Sequence, residues 1–387
     1  MIIGVPVESY PHERRVSLVP AVVPLLTKVG MTVLVERGAG ERAGFADSAY
    51  EERGAGIVPD KARLFSKADA VVRVRPLVAN PASHPELEFF RPGQVVIGLL
   101  DPLGAPQSIR ELAEKGVTAF ALELLPRISR AQSMDALSSM ATIAGYKAVL
   151  LAANLLEKMF PMMMTAAGTI TPARVFVIGV GVAGLQAIAT AHRLGAIVHA
   201  YDVRPAVKEQ VESLGAKFVE LALETQAAET AGGYAKAMDE NFYRRQREMM
   251  TKVLAESDAV ITTAAVPGKK APILITQEMV RGMRRGSIIV DLAAETGGNC
   301  ELTRPGETVE VDGVSILGPV NLPSTVPYHA SQMYARNIAS FLQLVVKNGK
   351  LHLDLEDQVI RETLVTHNKE VVNPAVRELL GLSTAAS

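Results

Sequence analysis

The sequence has one cysteine, Cys300, so it offers neither a disulfide framework nor a cysteine-built metal site. A free buried thiol in a reducing compartment is the simplest reading. An excess of one charge is also missing. Lys+Arg number 40 against 41 Asp+Glu, which gives no electrostatic grip on nucleic acid or anionic membranes. The seven histidines are scattered without ligand spacing, so none is assigned to a metal. The first residues, MIIGVPVESYPHERR, lack the basic and then apolar regions of a signal peptide. Long apolar runs are absent too. The stretch near 148–167 is broken by Glu157, Lys158 and Pro161, short of the roughly 18–20 apolar residues of a membrane helix. The chain itself is therefore expected to be soluble, with any membrane role coming through a partner. Its 387 residues exceed what one core usually serves, and two domains follow as the expectation.

What is there is a regular alternation. IIGVPV (2–7), TVLVE (32–36), AVVRV (70–74), VVIGLL (95–100) and FALELL (120–125) read as strands buried on both faces, with helical spacing between several of them. A second series follows: RVFVIGV (174–180), AIVHAYD (196–202), KFVEL (217–221), AVITTA (259–264), SIIVDLA (287–293) and VSILG (314–318). Repeated βα units imply parallel sheets covered by helices. Long helices are predicted from Leu137 to Leu155 and over 330–349. Because the second one follows the second sheet, the chain is expected to return to its first domain. The expected division is 1–135 completed by 330–387, and 136–329, with a cleft near both helices.

One segment departs from the alternation, and two others stand out for their composition. AAETAGGYAKAMDENFYRRQREMM (227–250) is too long for an ordinary connection and reads either as a mobile lid or as a solvated helix with a frayed start. Met162–Met164, after Pro161, read as hinge packing. RISRAQSMDALSS (127–139) gathers Arg127, Gln132, Asp135 and Ser138 between a strand and a long helix. Spacing alone favours helix capping there, by Ser133 or Asp135, over a ligand site.

The sharpest motif is Gly179-Val180-Gly181-Val182-Ala183-Gly184, a GxGxxG directly after a strand and opening a helix. Asp202 ends the next strand, roughly 20 residues on, as the dinucleotide fingerprint requires. The first glycine permits the tight turn, the second lets the backbone approach a pyrophosphate, and the third lets helix and strand pack closely. The helix N-terminus then offers N–H groups to the phosphates. A carboxylate at Asp202 accepts ribose hydroxyls and repels a 2′-phosphate, so the expected cofactor is NAD(H). Val203 and Arg204 follow it, and Arg204 reads as a solvated surface arginine. Thr263, Ala264 and Ala265, at a strand C-terminus, are expected to line the nucleotide site. The expected fold class is α/β, with two Rossmann-like domains of mostly parallel sheet linked by long helices around a cleft.

Together with that unit, the stretch ERRVSLVPAVVPLLTKVGMTVLVERGAGERAGFADSAYEERGA resembles the superfamily of alanine dehydrogenases and the NAD(H)-binding portion of proton-translocating NAD(P) transhydrogenases. RISRAQSMDALSS, FPMMMTAAGTI, GVGVAGLQAIATAHRLGA, KEQVESLGAKF, ETAGGYAKAM and AAETGGNC resemble the transhydrogenase branch closely. The positions matching the lysine and histidine of the alanine dehydrogenase branch are Arg75 and Asp101. An arginine stays protonated and cannot be an acid/base lysine. Asp101 cannot replace an imidazole near neutral pH without a strongly raised pKa. Glu295 and Arg15 keep the charges of that branch.

Direct hydride transfer between two nicotinamides, as the transhydrogenase resemblance implies, needs position and exclusion of water but no proton chemistry on an organic substrate. The resemblance makes Arg127, Gln132, Asp135 and Ser138 the nicotinamide-holding loop, with Gln132 nearest the second nicotinamide. A carboxamide has donors for Asp135 and both donor and acceptor atoms for Ser138 and Gln132. Tyr234, in the stretch matching the family's mobile loop, would fold onto the nucleotide. The resemblance also implies a Re/Si-specific enzyme, a homodimer, an NADP(H)-binding beta subunit and membrane-spanning subunits. As the chain carries no membrane helices at its end, those partners are expected on separate polypeptides. The expected place is cytoplasmic, on the inner face of the bacterial plasma membrane. The competing expectations are an amino-acid dehydrogenase with altered catalytic residues and a nucleotide sensor without catalysis.

Overall fold

Pro6 stops the first strand. Ile2–Val5 is paired on both sides, and the residue that follows has no N–H with which to continue a ladder. A computed structural model of the chain describes residues 1–75, 86–220, 240–265 and 268–382. The chain divides into two compact units, Met1–Met140 with Pro323–Ser387, and Ala141–Leu322.

In the first unit, eight described strands form one sheet in the order Glu370–Val371, Leu364–His367, Thr118–Ala121, Val95–Gly98, Ala70–Val72, Ile2–Val5, Thr32–Glu36, Gly56–Val58. The six that come first in the chain are parallel. The central ones are apolar on both faces, as helices on both sides of a parallel sheet require. Thr32–Glu36 is not: Thr32 is exposed and only Val33 and Val35 are fully buried, because this strand lies next to the edge.

The C-terminal segment adds an antiparallel hairpin to the other edge, through Leu364–His367 on Thr118–Ala121. Its two-residue turn places Asn368 and Lys369 at φ 49° and 66°, the left-handed pair a tight hairpin needs. Helix Pro327–Val345 buries Tyr334, Ile338, Phe341 and Leu342 in this unit. It ends earlier than the predicted 349 because Asn348 and Gly349 turn a second small hairpin.

In the second unit, seven described strands run Lys217–Phe218, Ile197–Tyr201, Arg174–Ile178, Ala259–Thr262, Ile288–Asp291, Val314–Leu317, Thr308–Val311. All pairings are parallel except the last. The strand order reverses at the neighbours Arg174–Ile178 and Ala259–Thr262. In doubly wound sheets, ligands bind outside the C-terminal ends of the strands at such a reversal.

Helix Ala136–Leu155 carries the chain from the first unit into the second, and its Ala148, Val149 and Ala152 are fully buried in the second core. By length and composition alone it is apolar enough to cross a membrane, a test that core helices also pass. The sequence pattern predicts no such segment. Two further expectations are corrected. Met162, Met163 and Met164 do not pack a hinge. They lie at and beside a two-stranded hairpin, Met163–Thr165 with Gly168–Ile170, and Met162 and Met164 are 60% and 81% exposed. Of the segment 227–250, residues 227–239 and with them Tyr234 lie outside the described residues. Glu240–Ala255 is a helix, and it is not solvated all round, since Gln246, Met250 and Leu254 are buried.

Candidate dinucleotide site

The glycine turn is built by the strands on either side of the reversal. The Gly179 amide donates to Tyr201 O at 2.9 Å, and its carbonyl accepts from the Thr263 hydroxyl at 2.9 Å. Gly179 adopts φ +94°, where a side chain would strain the backbone, and a Cβ there would meet Thr263 Oγ1 at 2.6 Å. A Cβ on Gly184 would come within 1.9 Å of Gly179 O, so helix Val182–Arg193 can sit this close to the strand only with glycine there. Gly181 differs from both. A Cβ on it would meet nothing within 4 Å. The space in front of the turn is open, at the start of a twelve-residue helix whose N-cap has no side-chain hydrogen bond. This fits a pyrophosphate held by helix N–H groups.

Val180 is buried, while Val182 and Ala183 are both half-buried at the start of the helix. Thr263 acts as a structural clamp on the turn. Ala264 is held by Asn299, whose Oδ1 accepts from its amide at 3.0 Å and whose Nδ2 donates to its carbonyl at 2.8 Å. Ala265 is exposed. Asn299 is a positioning residue that no sequence motif outside the family resemblance marks. It is fully buried, and its amide donates to Asp291, itself a buried acceptor for Thr262, Ala293, Cys300 and Thr303. The only signal for it was its place in the family-like AAETGGNC. Cys300 is buried in this core, and burial pushes its thiol up to about 11.

Asp202 is 7% exposed, and its Oδ2 accepts from the Val180 amide at 2.7 Å. The reading of Arg204 as solvated is corrected: its side chain is 12% exposed and forks onto Asp202, Nε to Oδ1 and Nη2 to Oδ2, both at 2.9 Å. The fork is favoured because a guanidinium matches the two carboxylate oxygens. Val203 is half-buried between them and packs on the core that holds Tyr201. Burial pushes the Tyr201 hydroxyl up to about 12.

The polar passage lies in the first unit. Ser129–Met134 is a 3₁₀ turn, and Asp135 breaks it before the α-helix starts at Ala136, so 132–138 is not one continuous helix. Ala131 and Met134 are buried and anchor the turn, which leaves Gln132 and Ser133 exposed. The Ser133 carbonyl is held by Asn337 Nδ2 at 2.9 Å, and Arg130 pairs with Asp357 through two bonds of 2.7 and 2.6 Å. Asp135 caps the helix: one oxygen accepts from the Ser138 amide at 2.8 Å and the other from its hydroxyl at 2.5 Å. Asp135 and Ser138 are therefore in contact, Gln132 stands one short turn before them, and Arg127 is exposed at the entry.

The same unit holds the charges that matter for the alanine dehydrogenase comparison. Arg75 lies with its guanidinium 5.0 Å from the centre of the Tyr10 ring. Asp101, at φ 48°, donates its amide to Glu123. Arg15 is buried in a two-bond pair with Glu13, which is a structural role. The buried Arg73 pairs with Glu86, donates to Ser9 and lies 3.6 Å from Glu8, whose carboxyl burial pushes up. In the second unit, Glu295 accepts from the Asn321 amide at 3.1 Å.

Family models described as alanine dehydrogenase/PNT, N-terminal domain and C-terminal domain match residues 4–144 and 148–374. The chain belongs to the alanine dehydrogenase/PNT family. Within this family it is 50% identical to a chain of Rhodospirillum rubrum named as the first portion of the NAD(P) transhydrogenase subunit alpha, over 97% of this chain and 99% of that one. It is 31% identical to the alanine dehydrogenase of Bacillus subtilis over 98% and 95%. The crystal structure of a transhydrogenase from Sinorhizobium meliloti superposes with a TM-score of 0.85 at 44% identity, covering 96% of this chain and all of that one. The transhydrogenase reading is thus better supported than the dehydrogenase one. Two Rossmann-like α/β units are what this alanine dehydrogenase/PNT chain contains.

Proposed function

We propose that the chain is the NAD(H)-binding subunit of a proton-translocating, Re/Si-specific transhydrogenase. In that role it exchanges hydride with NADP(H) held on a beta subunit. The observation that carries the nucleotide assignment is the open cradle at Gly181, framed by the obligate glycines 179 and 184 at the strand-order reversal. Gly179–Gly184 with Val180, Val182 and Ala183 receive the pyrophosphate. Asp202, Val203 and Arg204 meet the adenosine ribose, and Thr263, Ala264 and Ala265 line the strand end. Tyr234 belongs to the same proposal by resemblance.

When bound, the nicotinamide supplies the hydride chemistry. What the chain supplies is position: Arg127, Gln132, Asp135 and Ser138 hold the ring by its carboxamide and neighbouring polar atoms. Asp135 and the Ser138 oxygen keep lone pairs for the carboxamide N–H groups, the Ser138 proton being held by Asp135, and Gln132 and Arg127 supply donors for its carbonyl. Arg75, resting on Tyr10 and permanently charged, cannot cycle a proton, which speaks against amine chemistry. The partners are the beta subunit and membrane-spanning subunits, with a second copy of this chain. The place is the cytoplasmic face of the bacterial plasma membrane, reached through those partners.

The test is hydride transfer from NADH to an NADP⁺ analogue, with and without an NADP(H)-binding partner domain, beside a control with pyruvate and ammonium. Transfer only with the partner, and silence in the control, is the expected result. NADH oxidation by pyruvate and ammonium without the partner would replace this reading with that of an amino-acid dehydrogenase.

A further inference from the structure

Asp202 has no acceptor capacity to spare. An ionised carboxylate offers about four lone-pair positions, and four protein donors fill them. Oδ1 takes the Arg204 amide and Arg204 Nε, both at 2.9 Å, and Oδ2 takes the Val180 amide at 2.7 Å and Arg204 Nη2 at 2.9 Å. Two of these are backbone N–H groups. The Val180 amide belongs to the glycine turn itself and cannot leave without undoing it. The other two come from one guanidinium, which also donates to Val180 O at 3.2 Å. A ribose diol brings two O–H donors, so the positions it can take are those of Arg204 Nε and Nη2.

We propose that Arg204 is a displaceable cap on Asp202, and that this pair, rather than the carboxylate alone, sets the preference between nucleotides with a 2′-hydroxyl and those with a 2′-phosphate. The inference rests on the proposed nucleotide site. For a 2′-hydroxyl, the diol replaces the guanidinium fork two bonds for two, and binding loses the strength of the ion pair it breaks. For a 2′-phosphate, the fork turns from Asp202 to the phosphate oxygens, for which its planar donors are suited. Paired, the two side chains carry no net charge, so a 2′-phosphate meets less repulsion than a bare aspartate would give. Arg204 is then a specificity-determining residue that narrows, without reversing, the preference for NADH over NADPH that Asp202 gives.

The experiment measures dissociation constants of NADH and NADPH, by nucleotide fluorescence, for the whole chain and for Arg204→Ala, Arg204→Gln and Asp202→Asn. Melting temperatures are recorded in parallel. Removing the guanidinium is expected to leave NADH binding equal or tighter and to weaken NADPH, raising the NADPH-to-NADH ratio of constants at least tenfold. Arg204→Gln keeps much of the side chain's bulk and should move the ratio in the same direction even if Arg204→Ala folds poorly. Asp202→Asn should lower the ratio by a similar factor. A ratio unchanged within twofold in both arginine variants, with NADH still bound, would overturn the cap while leaving the nucleotide site standing. Failure of the unaltered chain to bind NADH would overturn the site and the cap with it.

Discussion

The Glu123 carboxylate accepts the backbone amide of Asp101 at 2.6 Å through Oε1, while its Oε2 is buried with no hydrogen-bond partner among the described residues. Burial pushes this carboxyl from 4.5 up to about 7, with the neighbouring Asp101 charge acting in the same direction and three backbone amides opposing. Tyr334, from the helix Pro327–Val345, also senses the charge.

A carboxyl raised in the folded state stabilises the fold when protonated. That contribution is complete below the unfolded value near 4.5 and is lost as pH rises through about 7. The shift corresponds to on the order of 3 kcal/mol at most. Glu123→Gln, neutral throughout, should therefore be more stable than the parent at pH 8 and similar at pH 4.5. Thermal melts by circular dichroism across this range check it, and parallel curves for the two proteins would contradict it.

Gly181 separates binding from folding. A methyl group there meets no protein atom, so Gly181→Ala should change stability by less than about 0.5–1 kcal/mol. It should weaken NADH at least tenfold by standing where phosphate approaches. Gly184→Ala, with its 1.9 Å clash on Gly179 O, should lose stability and binding together. Equal NADH affinity for Gly181→Ala and the parent would remove the pyrophosphate from this turn.

Capping and ligand binding can be told apart at the polar passage. Asp135→Ala removes the helix cap and should cost about 1 kcal/mol of stability. Ser138→Ala keeps the amide bond to Asp135 and should fold nearly normally, while slowing partner-dependent hydride transfer about tenfold or more through a single hydroxyl. Transfer at the parental rate in Ser138→Ala would leave the Ser138 hydroxyl with its bond to Asp135 as its only role.

The parallel core strands could be read from the sequence because apolar β-branched runs such as AVV and VVIG are buried on both faces wherever they sit in the sheet. The glycine turn was legible because strand, glycines and acid fall in register. The edge strand Thr308–Val311 lies outside the predicted strands, although Asp312-Gly313, at φ 51° and 80°, makes the hairpin turn that its dipeptide signals. The C-terminal hairpin turns on Asn368-Lys369, a weaker signal, and its pairing with Thr118–Ala121 joins segments far apart in the chain, which no local pattern reports. The pairings of Arg204 and Arg73 are hidden for a similar reason. An arginine in sequence looks solvated, and only the fold shows the carboxylates that face it.

The hairpin around Met163 has a chemical consequence. Thioethers exposed to solvent are the first to become sulfoxides under mild peroxide, and the change is reversible by reductases. Met164 and Met162 stand out in water, whereas Met250, fully buried, and Met31, 3% exposed, are shielded. The chain thus carries a built-in oxidation gradient: its surface hairpin would turn polar well before the sulfurs of either core react.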